Sequence, residues 1–399
     1  MAVAAAPFPD AIRVGRDVYV GCQSAGDGLG SIESQTADAF EHLVGALDAA
    51  GARMEDLVNL RTYYVYDGAD GPEVTQYWNR MTAVRLRYLT NPGPAATAVR
   101  VRGVPAATQL IGVDGIAALN ADRQRIMPAH AWDWTVPTPF SQGWRVGDKI
   151  YVGGQISADR DGKAMAVGDI AAQTRHTLDY IRHVLADGGQ DWRDVATLRV
   201  CFKHDGDTLA ARAVLSAIID VVRDTIPAPR PSVTAFGVNL LYEGLLLEID
   251  AVARAGGKSA VVPPGSGDWV ALDGFSLACQ AGNELHVGGL SAPGGASLAA
   301  QLEASLERLL TVVGEAGFDP TDLVKVTAFF VPEGNEAACA ADRALILDTV
   351  QHYLPAPRPV LTVLAVPGLP HDGQRFQIDG VAARGADRVS FSLNDGVSA

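Results

Sequence analysis

The sequence predicts an α+β fold built from three fused copies of one small domain. A short motif recurs first as Val18-Tyr19-Val20-Gly21-Cys22-Gln23, then as Ile150-Tyr151-Val152-Gly153-Gly154-Gln155, then as Leu285-His286-Val287-Gly288-Gly289-Leu290. Gly21, Gly153 and Gly288 lie 132 and 135 residues apart. A solenoid unit runs about 20–50 residues, so the repeat is a whole domain rather than one layer of a stack. Each motif is followed by a glutamine, Gln35, Gln173 or Gln301, that opens an apolar periodic stretch ending at Gly51, Gly189 or Gly317. Each copy then closes on an apolar run carrying one aspartate: Asp114, Asp250 or Asp379. Length agrees, since 399 residues at about 150 per domain give about three domains. The expected boundaries are 1–122, 123–256 and 257–387, with a tail over 388–399.

Copy two shows the elements best. Trp144 to Val152 reads as two short strands turning at Gly147-Asp148. From Ile170 to Ala186, apolar side chains at Ile170, Leu178, Ile181, Val184 and Leu185 fall near a 3.6-residue period, which predicts an amphipathic helix. Gly188-Gly189 ends it. Val195–Phe202 alternates and is β-branched, a strand; Leu209–Val222 is again helical. Pro227 to Pro231 breaks that helix, and Ser232–Phe236 and Leu245–Val252 are the closing strands. The first helix is expected over Thr36–Ala50 in copy one and Leu298–Ala316 in copy three. Asp319 to Asp322 turns into a strand at Leu323–Val331. Two helices on one face of a mixed sheet leave the other face to be covered, and the other two copies can cover it as a closed three-fold ring. Ala121 to Pro139, with Trp132 and Trp134, reads as an irregular linker. Gly256 to Gly267 reads as a second linker, and the tail from Arg388 as loosely ordered.

Composition narrows the function. Hydrophobic residues make up 48% and charged residues 20% of the chain, enough to fill three cores. The net charge of -14 argues against nucleic acid, which needs a clustered basic face. No apolar run approaches the roughly 20 residues of a membrane span. Met1 to Pro9 has no basic region, so no signal peptide is expected. Cys22, Cys201, Cys279 and Cys339 are scattered, which predicts neither disulfides nor a zinc site. These signs point to a reduced, cytoplasmic protein, and the three copies to a monomeric pseudo-trimer, with further self-association left open.

Hydrolase, metalloprotease, P-loop and dinucleotide motifs are absent. His176 and His183 are seven apart on one predicted helix, a spacing that fits solvated polarity better than a metal pair. The sharpest chemical signal is Pro-Ala-Pro-Arg-Pro, at Pro227–Pro231 and again at Pro355–Pro359. Prolines stiffen the backbone on both sides of the arginine and present its guanidinium for bidentate carboxylate binding. The plainer reading is a surface arginine in a turn. In Leu245–Val252, Glu248 and Asp250 are two apart and share a strand face. Either a carboxylate there orients a water beside Arg230, or both carboxylates pair with cations at the ring seam.

Pro139-Phe140-Ser141-Gln142, the Ile150–Ile156 motif, Gly168 to Thr174, Pro-Ala-Pro-Arg and the Glu248 strand together resemble the RidA/YjgF family of enamine/imine deaminases. The likeness spans roughly 8–120, 138–255 and 270–385. It implies chorismate-mutase-like domains arranged as a pseudo-trimeric barrel with helices outside and pockets at the interfaces. It also implies that Arg230 and Arg358 bind substrate carboxylate and that Glu248 positions the attacking water. Phe140-Ser141 and Phe275-Ser276 would edge the pockets, and Gln377 would stand in copy three where copy two has Glu248. In copy one Ala95 would replace the arginine and Gly112 the glutamate. Copy two is therefore expected to keep its site, copy three part of it, and copy one none. The catalytic expectation is Glu248 with Arg230; Arg230, Arg358, Phe140, Ser141, Phe275, Ser276 and Gln377 are expected to bind substrate. The implied activity is hydrolysis of the C=N bond of a small carboxylate-bearing imine or enamine, without cofactor or metal. Two other readings are a pathway-specific enzyme performing hydrolysis, cyclisation or dehydration, for which chorismate-cleaving relatives of this fold are a precedent, and a non-catalytic carboxylate-binding module.

Overall fold

The computed structural model describes residues 8–26, 29–68, 71–133, 138–269, 272–385 and 387–393; Trp134 lies outside them. Copy one contributes β1 (Ala11–Val14), β2 (Asp17–Ser24), α1 (Ile32–Ala49), β3 (Leu57–Val65), α2 (Pro72–Tyr88), β4 (Ala95–Val101) and β5 (Ile111–Ala118). Copy two follows as β6 (Arg123–Ile126), β7 (Gly143–Val146), β8 (Lys149–Gln155), α3 (Ile170–Asp187), β9 (Val195–Lys203), α4 (Thr208–Thr225), β10 (Ser232–Val238) and β11 (Leu247–Arg254). Copy three comprises β12 (Ser259–Val261), β13 (Ala278–Ala281), β14 (Glu284–Leu290), α5 (Leu298–Glu315), β15 (Leu323–Phe330), α6 (Glu336–Tyr353), β16 (Val360–Ala365) and β17 (Phe376–Ala383). A last strand, β18 (Val389–Phe391), ends the described chain.

Helix starts follow their caps. Asp169 and Asp207 accept from the amides of Ala172 and Ala210 at 2.9 and 3.0 Å, satisfying donors that a first turn leaves open. Ser31 does the same for α1, which is why that helix begins four residues before the expected Thr36. The repeated glutamines have a shared structural task. Gln173 accepts from the Leu246 amide (2.9 Å) and donates to the Gly244 carbonyl (2.6 Å). Gln35 clamps Thr108 and Leu110 in the same way, and Gln301 clamps Gly373 and Arg375. Each glutamine thus pins the loop that leads into the copy's last strand.

The described residues form three six-stranded sheets of one topology, ordered β18-β1-β2-β5-β3-β4, β6-β7-β8-β11-β9-β10 and β12-β13-β14-β17-β15-β16. Only β3–β4, β9–β10 and β15–β16 are parallel pairs, each joined through a helix, as a crossover requires. The linkers are less irregular than expected. The first supplies β6 and the second β12, each an edge strand for the copy that follows. The tail is also a correction: Val389–Phe391 pairs antiparallel with β1. It gives copy one the edge strand that a linker gives the other two. A short extended segment is ordered wherever a sheet edge offers it unpaired amides and carbonyls.

The helices pack on one face of each sheet, over the cores of Leu178, Ile181 and Ile218 in copy two, Leu302, Leu306 and Ile346 in copy three, and Phe40, Leu43 and Met81 in copy one. The other faces meet around a common axis. There β4 packs on β8, β10 on β14 and β16 on β2, closing the ring. The motif glycines explain how closely. A Cβ on Gly153 would sit 2.9 Å from the Ala96 nitrogen, and one on Gly288 would sit 2.8 Å from the Val233 carbonyl oxygen. Backbones of neighbouring copies touch at these points, and only glycine leaves room.

The three closing aspartates lie on the axis, each paired with a cation of a different copy. Arg61 binds Asp250 through two nitrogens, at 2.9 and 3.3 Å. Arg199 reaches Asp379 at 2.8 Å and Lys325 reaches Asp114 at 2.7 Å. All six groups are buried. Thr327 opposes Asp379 on the adjacent strand as Arg61 and Arg199 oppose Asp114 and Asp250, so Lys325, two residues earlier on the same face, supplies the third cation. Nearby, Lys149 lies between Asp17 (2.6 Å) and Glu284 (2.7 Å). Charges buried this way are held by mutual pairing, and the pairing crosses every seam.

Candidate active site

Copies meet at three seams, and the sequence-predicted residues are distributed among them. The seam between copies one and two holds a cavity with ≈ 540 Å³ of empty space, part of it open to solvent. β11 of copy two brings Glu248 to its wall, and Gly154 of β8 and Ile156 just after it line the same wall. Copy one adds Ala96 and Ala98 from β4, and Trp78 and Arg85 from α2. Phe140, Trp132, Tyr242 and Leu245 complete an apolar, aromatic lining.

Glu248 is 9% exposed. Burial pushes its carboxyl up to about 8, the nearby Asp250 carboxylate adds to the rise, and a hydrogen bond with the Ala98 backbone opposes it. At neutral pH the group is therefore mostly protonated, a neutral acid beside a cavity. Its place depends on Gly154, because a Cβ there would collide with the Glu248 carboxylate. Asp250, two residues on, does something else: it is bound by Arg61 and by the Thr97 hydroxyl. The two carboxylates thus part: Asp250 pairs with a cation of copy one, and Glu248 faces the cavity.

Arg230 is a correction. It stands at the seam between copies two and three, where the Ser276 hydroxyl donates to its carbonyl at 2.5 Å. Its guanidinium donates to the Arg223 carbonyl at 2.9 and 3.1 Å and to the Gly274 carbonyl at 3.3 Å. The structure does not bring it together with Glu248. Strands β10 and β11 of one copy face different neighbours, so the arginine and the glutamate of the same copy point to different seams. Arg358 donates in the same manner to the Gln351 carbonyl, at 3.0 and 3.3 Å, and lies 5.9 Å from the centre of the Phe8 ring. In both copies the Pro-flanked arginine satisfies a carbonyl in the last turn of the preceding helix.

Register corrects copy one as well. Ala95, Ser232 and Val360 open the parallel strand pairs at Asn59, Thr197 and Lys325. The residue two before each is then Gly93, Arg230 and Arg358, so Gly93, not Ala95, takes the arginine position. Ser141 confirms the register by donating to the Gly93 carbonyl at 2.7 Å, as Ser276 does to that of Arg230. These serines fasten seams, and Ser141 is 1% exposed; of the two Phe-Ser pairs, Phe140 lines the open cavity.

At the seam between copies two and three the empty space is ≈ 210 Å³, lined by Leu272, Phe275, Ser276 and Gly289. Gln377 occupies the place of Glu248 there and donates to the Ala235 carbonyl at 3.0 Å; a Cβ on Gly289 would meet it at 2.5 Å. At the seam between copies three and one the sizes are exchanged. Gly112 stands for the glutamate and Cys22 for the facing glycine, and a Cβ on Gly112 would sit 2.6 Å from the Cys22 sulfur. Burial pushes the Cys22 thiol well up, so it acts as apolar filling.

Sequence reading missed Arg85. It is 0% exposed, and none of its three guanidinium nitrogens has a hydrogen-bond partner among the described residues. It lies 4.9 Å from the centre of the Phe140 ring and 5.2 Å from that of Trp78. Burial lowers it to about 10. An arginine among the buried residues of α2, beside Met81 and Val84, was the available signal. Among the described residues no three His, Cys, Asp or Glu side chains group to hold a metal; His176 contacts the Ser157 hydroxyl and His183 contacts Asp179. No helix among them is long and apolar enough to cross a membrane.

A ring of three such sheets with a buried acid at one seam defines a class, and comparison with known proteins places it. The profile described as Endoribonuclease L-PSP matches residues 1–119 and 134–255. The chain belongs to this family. It is 30% identical over 116 residues to the 3-aminoacrylate deaminase RutC of Acinetobacter baylyi, covering 29% of this chain and 86% of that protein. A RutC family protein of Pyrococcus abyssi is 29% identical over 115 residues, 29% of this chain and 85% of its own. Among solved structures, a chorismatase is similar over 61% of this chain and 75% of its own, at 19% identity and a TM-score of 0.45. RidA from an Antarctic Psychrobacter is similar over 33% and 98%, at 21% identity and a TM-score of 0.28.

Proposed function

We propose that the chain hydrolyses the C=N bond of a small carboxylate-bearing imine or enamine, in the cavity between copies one and two, with Glu248 as the acid–base group. The observation that carries this reading is the place of Glu248, a buried carboxyl raised to about 8 at the wall of a largely aromatic cavity. An enamine needs a proton on carbon to become an iminium ion. Glu248 gives that proton, and its carboxylate then takes one from the water that attacks the iminium carbon. The carbinolamine collapses with release of ammonia, leaving a carbonyl product. The likeness to a protein named as a 3-aminoacrylate deaminase supports this chemistry, and the net charge of -14 disfavours a nucleic-acid substrate.

The test supplies 2-imino acids or 3-aminoacrylate generated in situ and follows ammonia release. The wild-type chain is expected to accelerate it and Glu248→Gln to lose the acceleration. Equal rates with wild type, with the variant and without protein would sink the proposal. A second reading has its own observation. Gly93 leaves this cavity without the Pro-flanked arginine of the other seams, and its walls are aromatic, which favours a pathway-specific step on a bulkier intermediate using the same acid. Turnover restricted to large substrates would select it.

A further inference from the structure

The last turns of α2, α4 and α6 fix a register independent of the strands. The amides of Leu89, Ile226 and Leu354 cap the helices by bonding the carbonyls of Arg85, Val222 and Val350. All three of these residues are fully buried. In copies two and three the position is a core valine; in copy one it is a guanidinium. A charge in a valine's place is destabilising unless something pairs with it, and no acceptor among the described residues does so. The rings of Trp78 and Phe140 lie against it, a weaker exchange for its N–H groups than the hydrogen bonds of a carboxylate. The open side of Arg85 is the cavity it lines with Glu248, so the missing partner comes from solution.

We infer that Arg85 anchors a substrate carboxylate, and that the substrate is a monocarboxylate with a flat, apolar body lying among Trp78, Phe140, Trp132 and Tyr242. The inference rests on the reading that this cavity is the reaction site. A single guanidinium fork matches a single carboxylate bidentately, whereas a phosphate dianion would need further donors that the apolar walls do not offer. A protonated Glu248 adds no negative charge to repel the ligand. Aromatic faces stack on a planar body, and a larger one buries more apolar surface among them.

The test titrates the full chain with benzoate, benzamide and acetate by calorimetry, and repeats it with Arg85→Val, the residue the other two copies carry. Benzoate is expected to bind about tenfold more tightly than acetate, from the buried ring, and well ahead of neutral benzamide. Arg85→Val is expected to weaken benzoate by about thirtyfold or more, the loss of a charge-assisted pair, while its melting temperature rises. Benzoate bound equally by wild type and variant, acetate bound as tightly as benzoate, or a variant that melts lower than wild type would each overturn the inference. The melting temperature keeps the test decisive, because a merely structural arginine would be missed on removal. The two proposals fail separately: a chain that binds benzoate through Arg85 but never releases ammonia sinks the reaction assigned to Glu248 and leaves the anchor standing. Ammonia release undiminished in Arg85→Val does the reverse.

Discussion

The seam between copies one and two and the seam between copies two and three are built from corresponding strands, yet the empty space is ≈ 540 Å³ at one and ≈ 210 Å³ at the other, which we call the open and the filled seam. Glu248 and Gln377 occupy one position, backed by Gly154 and Gly289. Behind Gln377 the lining residues Leu272 and Phe275 pack onto the core of copy two, and Val222 sits where the open seam has Arg85. Among the described residues, the acid at the open seam is buried without a paired cation and the guanidinium without a paired anion. A homotrimer repeats every change three times around its axis; a fused chain can change one seam and let the other two hold the ring together.

The largest expected effect that tests this contrast is on catalysis. Glu248→Gln should lower turnover by about 10²–10⁴-fold, the usual worth of a positioned acid, whereas Gln377→Glu should add no second activity because its seam is filled. Steady-state ammonia release measures both. Gly154→Ala comes next: its methyl displaces the Glu248 carboxylate, and a misplacement of about 1 Å can cost about 10²-fold. Gly289→Ala, against Gln377, should leave turnover within about twofold.

The axial pairs sharpen the comparison through stability. Asp250→Ala and Asp379→Ala each strand a buried arginine and should cost about 3–5 kcal/mol in urea unfolding. Only Asp250→Ala should also move the alkaline limb of the activity profile to lower pH, because the Asp250 charge helps hold the Glu248 proton.

Glu248 also predicts the pH dependence. Its carboxyl is raised in the folded chain to about 8 from 4.5. Between those values the folded state holds a proton that the unfolded state has lost, so stability is complete below about 4.5 and falls as pH rises, by about 1.4 kcal/mol per unit, until the folded group itself ionises near 8. Turnover should hold below about pH 8 and decline above it. Urea midpoints across this range should slope for wild type and flatten for Glu248→Gln; a flat wild-type profile would contradict the buried acid. The smallest effect is expected at Arg230: Arg230→Ala should change turnover by less than about twofold, since its guanidinium serves a helix end at the filled seam.

Much of the fold was legible because its causes are local. Apolar periodicity placed the helices, alternation placed the strands, and the motif glycines and loop-clamping glutamines recur wherever the same backbone is needed. The tail was misread because three residues carry too little pattern to announce a strand; Val389–Phe391 is ordered by the edge of β1, which lies more than 370 residues away in the chain. The site was half legible. Glu248 stood out as a carboxylate in an apolar strand, but Arg230 was paired with it on the assumption that one copy makes one site.

By itself the sequence determined that there are three copies, what secondary structure each forms, and that their polar residues differ. Tertiary structure alone decided which strand of one copy faces which strand of the next. That pairing separates Arg230 from Glu248, gives Glu248 the Ala96–Ala98 wall of copy one, and brings Arg85 to its cavity. The physical reason is that seam contacts are set by closure of the ring, in which each sheet buries the face its own helices leave bare. No local propensity encodes which neighbour a strand will meet when the ring closes.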